Sequence, residues 1–455
     1  MLGPTEYGKY MYAISYVSVI AVLFEGGIDI LTVRDLSAKT VQFQEFFAHS
    51  SFLKVISAIL VAIVACSSLL FGATNAEAMS LIAIATIYCG FNALMVHCRF
   101  VFRAFEVMQY EARSIVIEKV LILLLCGGVL YFGGKTKLFL GAFSGAYVIT
   151  FLATFYMLAR NIGLPRWSIN WQYLWKRIIK PAAPYALMSF FMVVYFRSAT
   201  LMLRWITGNE AQVGFYNAGY RIVESFLLFP AVIVGPMYPS FSRRRTEKQY
   251  VGSLLYQASR VLLVISISMA VPIALMREAV TGIFYGPEYA AASAPVGILV
   301  IAVIPLGMSW VFGSLVAASG RQSWMNVVIL FVTLANIVGH YMLIPRWGLQ
   351  GASWVTLGTE FAIACGNLWF VRDYVQGRGF LALYLKGLCI GVVPLVFDQL
   401  GLLPQALVLR LTAVMVMLGG LFLVFRLVTF ADIRRLMSRG VLQPLSTTPS
   451  ELPGE

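Results

Sequence analysis

ASAPVGILVIAVIPLGMSWVFGSLVAA, residues 292–318, runs its whole length without a charged side chain. It is longer than the roughly 20 apolar residues needed to cross a bilayer core as a helix. The rest of the chain has the same character. Of 455 residues, 60% are hydrophobic and only 12% charged, with a mean hydropathy of +0.82. A soluble domain carries about 25% charged residues, so a water-soluble enzyme and a disordered chain are both excluded. Similar apolar stretches fall at 10–32, 53–72, 79–98, 115–133, 138–159, 183–206, 213–239, 252–276, 324–344, 350–371, 381–402 and 407–430. The sequence therefore predicts an all-α polytopic membrane protein of thirteen transmembrane segments. The first is no signal peptide, having neither a basic leader nor a small-residue cleavage site.

Charge placement orients these segments. Thirteen is odd, so the termini lie on opposite sides. With the C-terminus in the cytoplasm, 25 of the 34 Lys and Arg fall on inner connections, seven on outer ones, and Arg197 and Arg221 within segments. That asymmetry is the positive-inside pattern. It places the chain in the cell (inner or plasma) membrane. It also accounts for the net charge of +14 through anionic lipid at the inner face, with no nucleic-acid partner required. The six Cys are scattered in apolar runs and the three His are isolated, so no metal site is expected.

Connections are short except between the fifth and sixth segments. There Trp167, Trp171 and Trp175 recur at four-residue spacing beside Lys176, Arg177 and Lys180, which predicts a helix in the membrane interface joining two lobes. The expected organisation is an N-terminal bundle (1–159), a cytoplasmic interfacial linker (160–180), a C-terminal bundle (181–372), an extra helix pair (380–430) and a cytoplasmic tail (431–455). From Val441 the tail is rich in Pro, Ser and Thr and reads as disordered. The two bundles are related by a weak repeat. TEYGKYMYA from Thr5 and AQVGFYNAG from Ala211 lead into the first and seventh segments, with Gly8 on Gly214 and Tyr10 on Tyr216. On that pairing the sixth segment has no counterpart in the first half.

Those stretches carry a family resemblance. LGPTEYG (2–8) with FEGGIDILTVRDLSA (24–38) is similar to the second helix of polysaccharide flippases of the O-antigen and exopolysaccharide type. These belong to the multidrug/oligosaccharidyl-lipid/polysaccharide (MOP) exporter superfamily. VGFYNAGYRIVESFLLFPAVIVGPMYPSFS (213–242) resembles their eighth helix. IFYGPEYAAASAPVGIL (283–299) resembles the loop into the tenth, and IPRWGLQGASWVTLGTEFA (344–362) the eleventh-to-twelfth junction. The resemblance covers nearly the whole chain. It implies two pseudo-repeated bundles with an additional C-terminal pair, alternating access between them, and a lipid-linked glycan as cargo. It also implies a further helix upstream of Met1, so an in-frame apolar stretch is expected there. Relatives often carry an Asp two residues after the basic position of the sixth segment. Here that position is Ala199, which puts a coupling role for such a carboxylate in doubt.

Charges inside a bilayer cost on the order of 2.5–3.5 kcal/mol each and mark functional positions. Arg197, Arg221 and, at the inner mouth, Arg34 are the candidates for holding a diphosphate, because a planar guanidinium suits bidentate phosphate contacts. Each has a plainer alternative. Arg221 and Glu224 are i, i+3 and can neutralise one another, and Arg34 can simply anchor its helix. Glu25, Asp29, Glu224 and Glu360 are candidates for proton or sodium coupling, or charge partners for the arginines. Aromatics crowd Arg197 on the sixth segment and fit either sugar stacking or packing. Pro230, Gly235, Pro236 and Pro239 mark the seventh segment as bent.

The function expected is translocation of a polyprenyl-diphosphate-linked oligosaccharide, with the polysaccharide assembly machinery as partner. No cofactor is implied beyond a coupling ion, since no phosphate-binding loop is present. A multidrug or cation exporter of the same superfamily is the alternative. It would favour carboxylates in the cavity without compensating arginines. A membrane polymerase or glycosyltransferase fits less well, because the outer connections carry no paired carboxylates.

Overall fold

The computed structural model describes residues 2–25, 27–71, 76–164, 169–319, 322–375 and 378–428. All regular structure among them is helical. Twelve helices are long and apolar enough to cross a membrane. One of these, Gln322–Val371, has 50 residues, about 75 Å of helix at 1.5 Å per residue against a core of about 30 Å. It is not one span. Gly348 departs from helical geometry (φ 52°, ψ −127°), and the chain folds back there. A methyl group on Gly351 would lie 2.4 Å from the Leu343 carbonyl oxygen, one on Gly339 against Val355, and one on Gly366 against Val328. The residue numbers of each pair sum nearly to a constant, as they must in an antiparallel hairpin. These are the tenth and eleventh segments, so the described fold carries all thirteen.

The first segment differs from a single helix over 10–32. It runs Pro4–Glu25, breaks, and resumes as Ile28–Ser37. Gly27 takes the left-handed conformation (φ 84°), and a methyl group there would meet the Ala182 carbonyl oxygen at 2.5 Å. Backbone curvature and close approach to the sixth segment both require a residue without Cβ. The seventh segment is broken as its prolines predict. Glu210–Phe226 is followed by Leu228–Val234, a 3-10 turn Gly235–Met237 and Tyr238–Arg243.

The stretch between the fifth segment (Thr136–Asn161) and the sixth is not a separate interfacial helix over the residues described. Helix begins at Trp171, passes through a π-helical turn Leu174–Ile179 and continues without interruption as Lys180–Thr207. Its base is rooted on the first bundle. Leu174 and Ile178 are buried among Phe46, Phe47, Phe102 and Leu158, the His49 ring lies 4.6 Å from that of Tyr173, and the Asn170 amide donates to His49 Nε2 at 2.9 Å. Trp171 and Trp175 remain exposed on the other side, where indole rings favour a lipid interface. Arg166, Trp167 and the tail from 431 lie outside the described residues.

The ninth segment (Pro287–Ala318) is the axis of the second half, with 72% of its apolar window buried. The last two segments, Arg378–Gln399 and Leu407–Val424, pack on the eighth (Lys248–Leu275) through Leu263, Ile267 and Val271 against Leu383, Ile390, Val414 and Leu418. Arg410 pairs with Asp398 across their connection.

The halves meet where the repeat places its glycines. The first and seventh segments cross with Gly8 against Gly214, and the crossing is reciprocal. A methyl group on Gly8 would lie 1.8 Å from the Glu210 carbonyl oxygen, and one on Gly214 would lie 2.0 Å from that of Pro4. Each glycine thus sits on the backbone four residues before the other, which is the signature of a local two-fold axis. Tyr10 and Tyr216 at the same offset are both buried. Tyr289 caps the crossing, its hydroxyl donating to the Leu2 carbonyl at 3.0 Å.

Candidate functional site

Beyond the glycine crossing the first and seventh segments carry polar and charged side chains that meet one another. Arg221 lies seven residues past Gly214, about 10 Å along the helix, yet its side chain is 54% exposed. Its Nη1 donates to Glu224 Oε2 at 2.8 Å, the i, i+3 pairing read from the sequence. The guanidinium also contacts the Tyr7 hydroxyl of the first segment. Arg197 of the sixth segment is partly exposed and lies within electrostatic reach of Tyr7, Tyr88 and Tyr220. The first, third, sixth and seventh segments therefore bring two arginines and three tyrosines within electrostatic reach of one another. Tyr10 is buried nearby, edge-on to Phe139 and Phe143 at 5.3 and 5.8 Å.

The two arginines are not equivalent. Arg221 is half-neutralised by Glu224. Arg197 makes no ion pair or hydrogen bond among the described residues, so its charge is available to a ligand. Guanidinium N–H groups can only donate, so the two arginines suit an anion, to which the phenolic hydroxyls can donate as well.

Arg34 is elsewhere. It lies at the far end of the Ile28–Ser37 helix, its Nε donating to Asp35 Oδ1 at 2.6 Å. That hydrogen bond holds the guanidinium above its ordinary pKa, and Tyr185 is a second partner. It does not join the other two arginines.

The carboxylates divide as well. Asp29 Oδ2 accepts from Lys54 Nζ at 3.0 Å and its Oδ1 contacts His97 Nδ1 at 2.9 Å. Ser50 Oγ contacts His97 Nε2 at 2.9 Å, with Phe47 stacked on the imidazole. Lys54 is only 1% exposed, so Asp29 is the counter-ion of a buried lysine inside the first bundle. His97, isolated in the sequence, thus has a partner in the fold. The partners lie 25 and 68 residues away in sequence, which no local pattern reveals. Glu360 is 3% exposed and accepts from the Tyr195 hydroxyl at 2.9 Å. It does not partner Arg197. Tyr195 points into the second bundle with it. The Glu25 side chain lies outside the described residues.

Ala199 is buried in the second bundle beside a polar relay. Ser198 donates to Asn336 Oδ1 at 2.6 Å, and Asn336 Nδ2 donates to Thr359 at 3.1 Å. A turn further on, His340 is fully buried with neither ring nitrogen hydrogen-bonded. Among the described residues no three His, Cys, Asp or Glu are grouped to hold a metal ion.

Comparison with known proteins places this architecture. The structure is similar to lipid II flippase MurJ in an inward closed conformation, with a TM-score of 0.72 and 15% identity over 95% of this chain and 94% of that one. A multidrug resistance MATE family transporter of the MOP superfamily, inward-facing, gives a TM-score of 0.63 at 14% identity, covering 82% and 91%. A MOP superfamily transporter from Pyrococcus furiosus gives 0.56 at 15%, covering 82% and 89%. These likenesses are of fold. In sequence, an uncharacterized membrane protein of Methanocaldococcus jannaschii is 21% identical over 199 residues, 43% of this chain and 39% of that protein. The chain thus spans about two fifths of that relative's length. Residues 1–244 match the family described as polysaccharide biosynthesis protein. With that match over more than half its length, the chain belongs to the polysaccharide biosynthesis protein family.

Proposed function

We propose that the protein is a flippase that carries a polyprenyl-diphosphate-linked oligosaccharide from the cytoplasmic to the outer leaflet for polysaccharide biosynthesis. It is a transporter and performs no covalent chemistry. The observation that supports this reading is Arg197, without an ion pair among the described residues and within electrostatic reach of the same Tyr7 that Arg221 contacts. A diphosphate brings two negative charges, and two guanidinium groups on adjacent segments can grip both phosphates. Tyr7 and its neighbours supply hydroxyls and ring faces for the sugars beyond. Arg34 at the inner mouth would receive the headgroup before it reaches the deeper pair.

Alternating access follows from the glycine crossing, which shuts one end by backbone contact alone. The lysine and arginine distribution supports an orientation with that end outside and the C-terminus in the cytoplasm, in the cell membrane. Direction would come from a proton or sodium gradient, with Glu224 beside Arg221 as a carboxylate able to sense it, or from removal of product by the assembly machinery.

The test is deletion of the gene in its host, with the first glycosyltransferase under repressible control, and mass spectrometry of polyprenyl-linked glycans. A complete lipid-linked repeat unit should accumulate while surface polymer is lost, and Arg197→Ala should fail to restore export. An unchanged lipid-linked pool with raised sensitivity to cationic drugs would overturn the proposal in favour of an exporter.

A further inference from the structure

His49 sits near the inner end of the second segment (Phe43–Phe71), and its side chain is fully buried. Both ring nitrogens are engaged, and both partners are backbone. Nδ1 lies 2.7 Å from the Glu45 carbonyl oxygen, which can only accept, so Nδ1 carries a hydrogen. Nε2 lies 2.9 Å from the Asn170 amide nitrogen, which can only donate, so Nε2 carries none. One form of the ring satisfies both contacts, the neutral imidazole with its hydrogen on Nδ1. The imidazolium has a hydrogen on each nitrogen and would set Nε2–H against the Asn170 N–H, donor facing donor.

Asn170 also matters to the helix that follows it. Its side-chain oxygen accepts from the amides of Gln172 and Tyr173 at 2.9 and 3.3 Å, capping the start of the helix that becomes the sixth segment. One residue therefore caps that helix and ties it to the second segment. Glu45 on the helix of His49, Arg177 on the capped helix and Asp35 on the first segment are in electrostatic reach of Tyr173, whose ring lies against the imidazole. Asp35 is paired with Arg34. From the third segment, His97 contacts Ser50, next in sequence to His49, and is itself held by Asp29, the partner of Lys54. Among the described residues none of these side chains bonds the His49 ring, so its two hydrogen bonds are to backbone groups alone.

We infer that His49 is a pH-sensitive latch: neutral, it holds the start of the helix Trp171–Thr207 to the first bundle, and protonated, it releases it. Histidine is the side chain whose ordinary charge change falls between pH 5 and 8. Release leaves the Asn170 amide without its acceptor and unseats the cap, so the π-helical turn Leu174–Ile179 loses one of its fixed ends. Under the flippase reading and its orientation, an acidified cytoplasm would then slow export. That consequence rests on the reading; the latch itself does not.

The test is hydrogen–deuterium exchange of the full chain in lipid nanodiscs between pH 8 and pH 5, with rates corrected for the chemical effect of pH. Protection of the amides at 170–173 should fall about fivefold or more on acidification, because a buried donor loses its acceptor. Amides of Lys248–Leu275 serve as reference and should not change. His49→Gln, whose side-chain oxygen can take the place of Nε2, should keep the protection at both ends of the range. His49→Phe, which offers no acceptor, should show the low protection throughout. Wild-type protection that does not change with pH, or the same transition in His49→Gln as in the wild type, would overturn the latch. No cargo enters this measurement, so its outcome is separate from that of the flippase reading. In cells, acidifying the cytoplasm with a weak acid should raise the lipid-linked glycan pool in the wild type and not in His49→Gln; an equal response in both would overturn the link to export.

Discussion

Replacing either glycine of the crossing should force the closed end open. A methyl group at residue 8 would sit 1.8 Å from the Glu210 carbonyl oxygen, and at residue 214 it would sit 2.0 Å from that of Pro4. Ordinary carbon–oxygen contact needs well over 3 Å, so the helices must move apart by more than 1 Å where backbone meets backbone. Neither atom can rotate away. Overpacking of this kind costs about 1–3 kcal/mol, and the cost falls only on the state in which the segments cross. The closed-to-open ratio should drop roughly 5- to 150-fold. Ser225 lies one turn beyond Arg221 on the same exposed face, so Ser225→Cys reports access to that face. In a background lacking the native cysteines, a membrane-impermeant maleimide added outside whole cells should label that cysteine faster in Gly8→Ala and in Gly214→Ala. Because both glycines relieve one contact, the double variant should exceed either single one by much less than the product. Labelling unchanged in both single variants, with the protein present at normal levels in the membrane, would refute the crossing as the outer closure. Effects that multiply would refute the shared two-fold contact.

Other expectations are more local. Arg197→Ala and Arg221→Ala should each abolish rescue of polymer export. Arg221→Lys should retain part of it, because a point charge replaces a fork; lipid-linked glycan pools measure both. Asp29→Asn removes the carboxylate that pairs with the buried Lys54. It should destabilise the protein by about 3–5 kcal/mol, whereas the paired change Asp29→Leu with Lys54→Met should recover most of that in detergent thermal melts. Gly27→Ala strains a left-handed backbone and strikes Ala182, costing on the order of 1–3 kcal/mol for the conformation alone. Loss of thermal stability larger than that of Gly235→Ala, where a methyl group meets nothing, would confirm it.

What could be read from the sequence follows from range. Segment number is a property of about 20 consecutive residues, and the bilayer penalises every exception, so all thirteen are legible, including the hairpin at Gly348 that joins two of them. Arg221 with Glu224 was legible because i, i+3 neighbours share a helix face. Gly8 on Gly214 was visible only as a faint repeat, and nothing in the two strings says that the glycines touch. The break at Gly27 is hidden because glycine is common in membrane helices; its cause is Ala182, some 155 residues away. Asp29 drew attention as a charge in an apolar run, but its lysine and histidine belong to other segments. Likewise, Glu360 could not be separated from Arg197 until Tyr195 was seen to hold it. Local pattern gave the segments, and contacts between them gave the roles.

The unbroken helix from Trp171 to Thr207 would, under the alternating access proposed above, work as a crankshaft. Its foot is bolted to the first bundle through Leu174, Ile178 and the His49 contacts, while its shaft belongs to the second. Any rocking of one bundle against the other must therefore be absorbed within a few residues, and the π-turn Leu174–Ile179, with its wider and poorer hydrogen-bonded rings, is the compliant bearing. Torque delivered there turns Arg197, some 20 residues up the shaft, with no hinge loop in between. One inserted residue above the bearing would turn that arginine by about 100°, away from its present neighbours, without altering a single residue of the site.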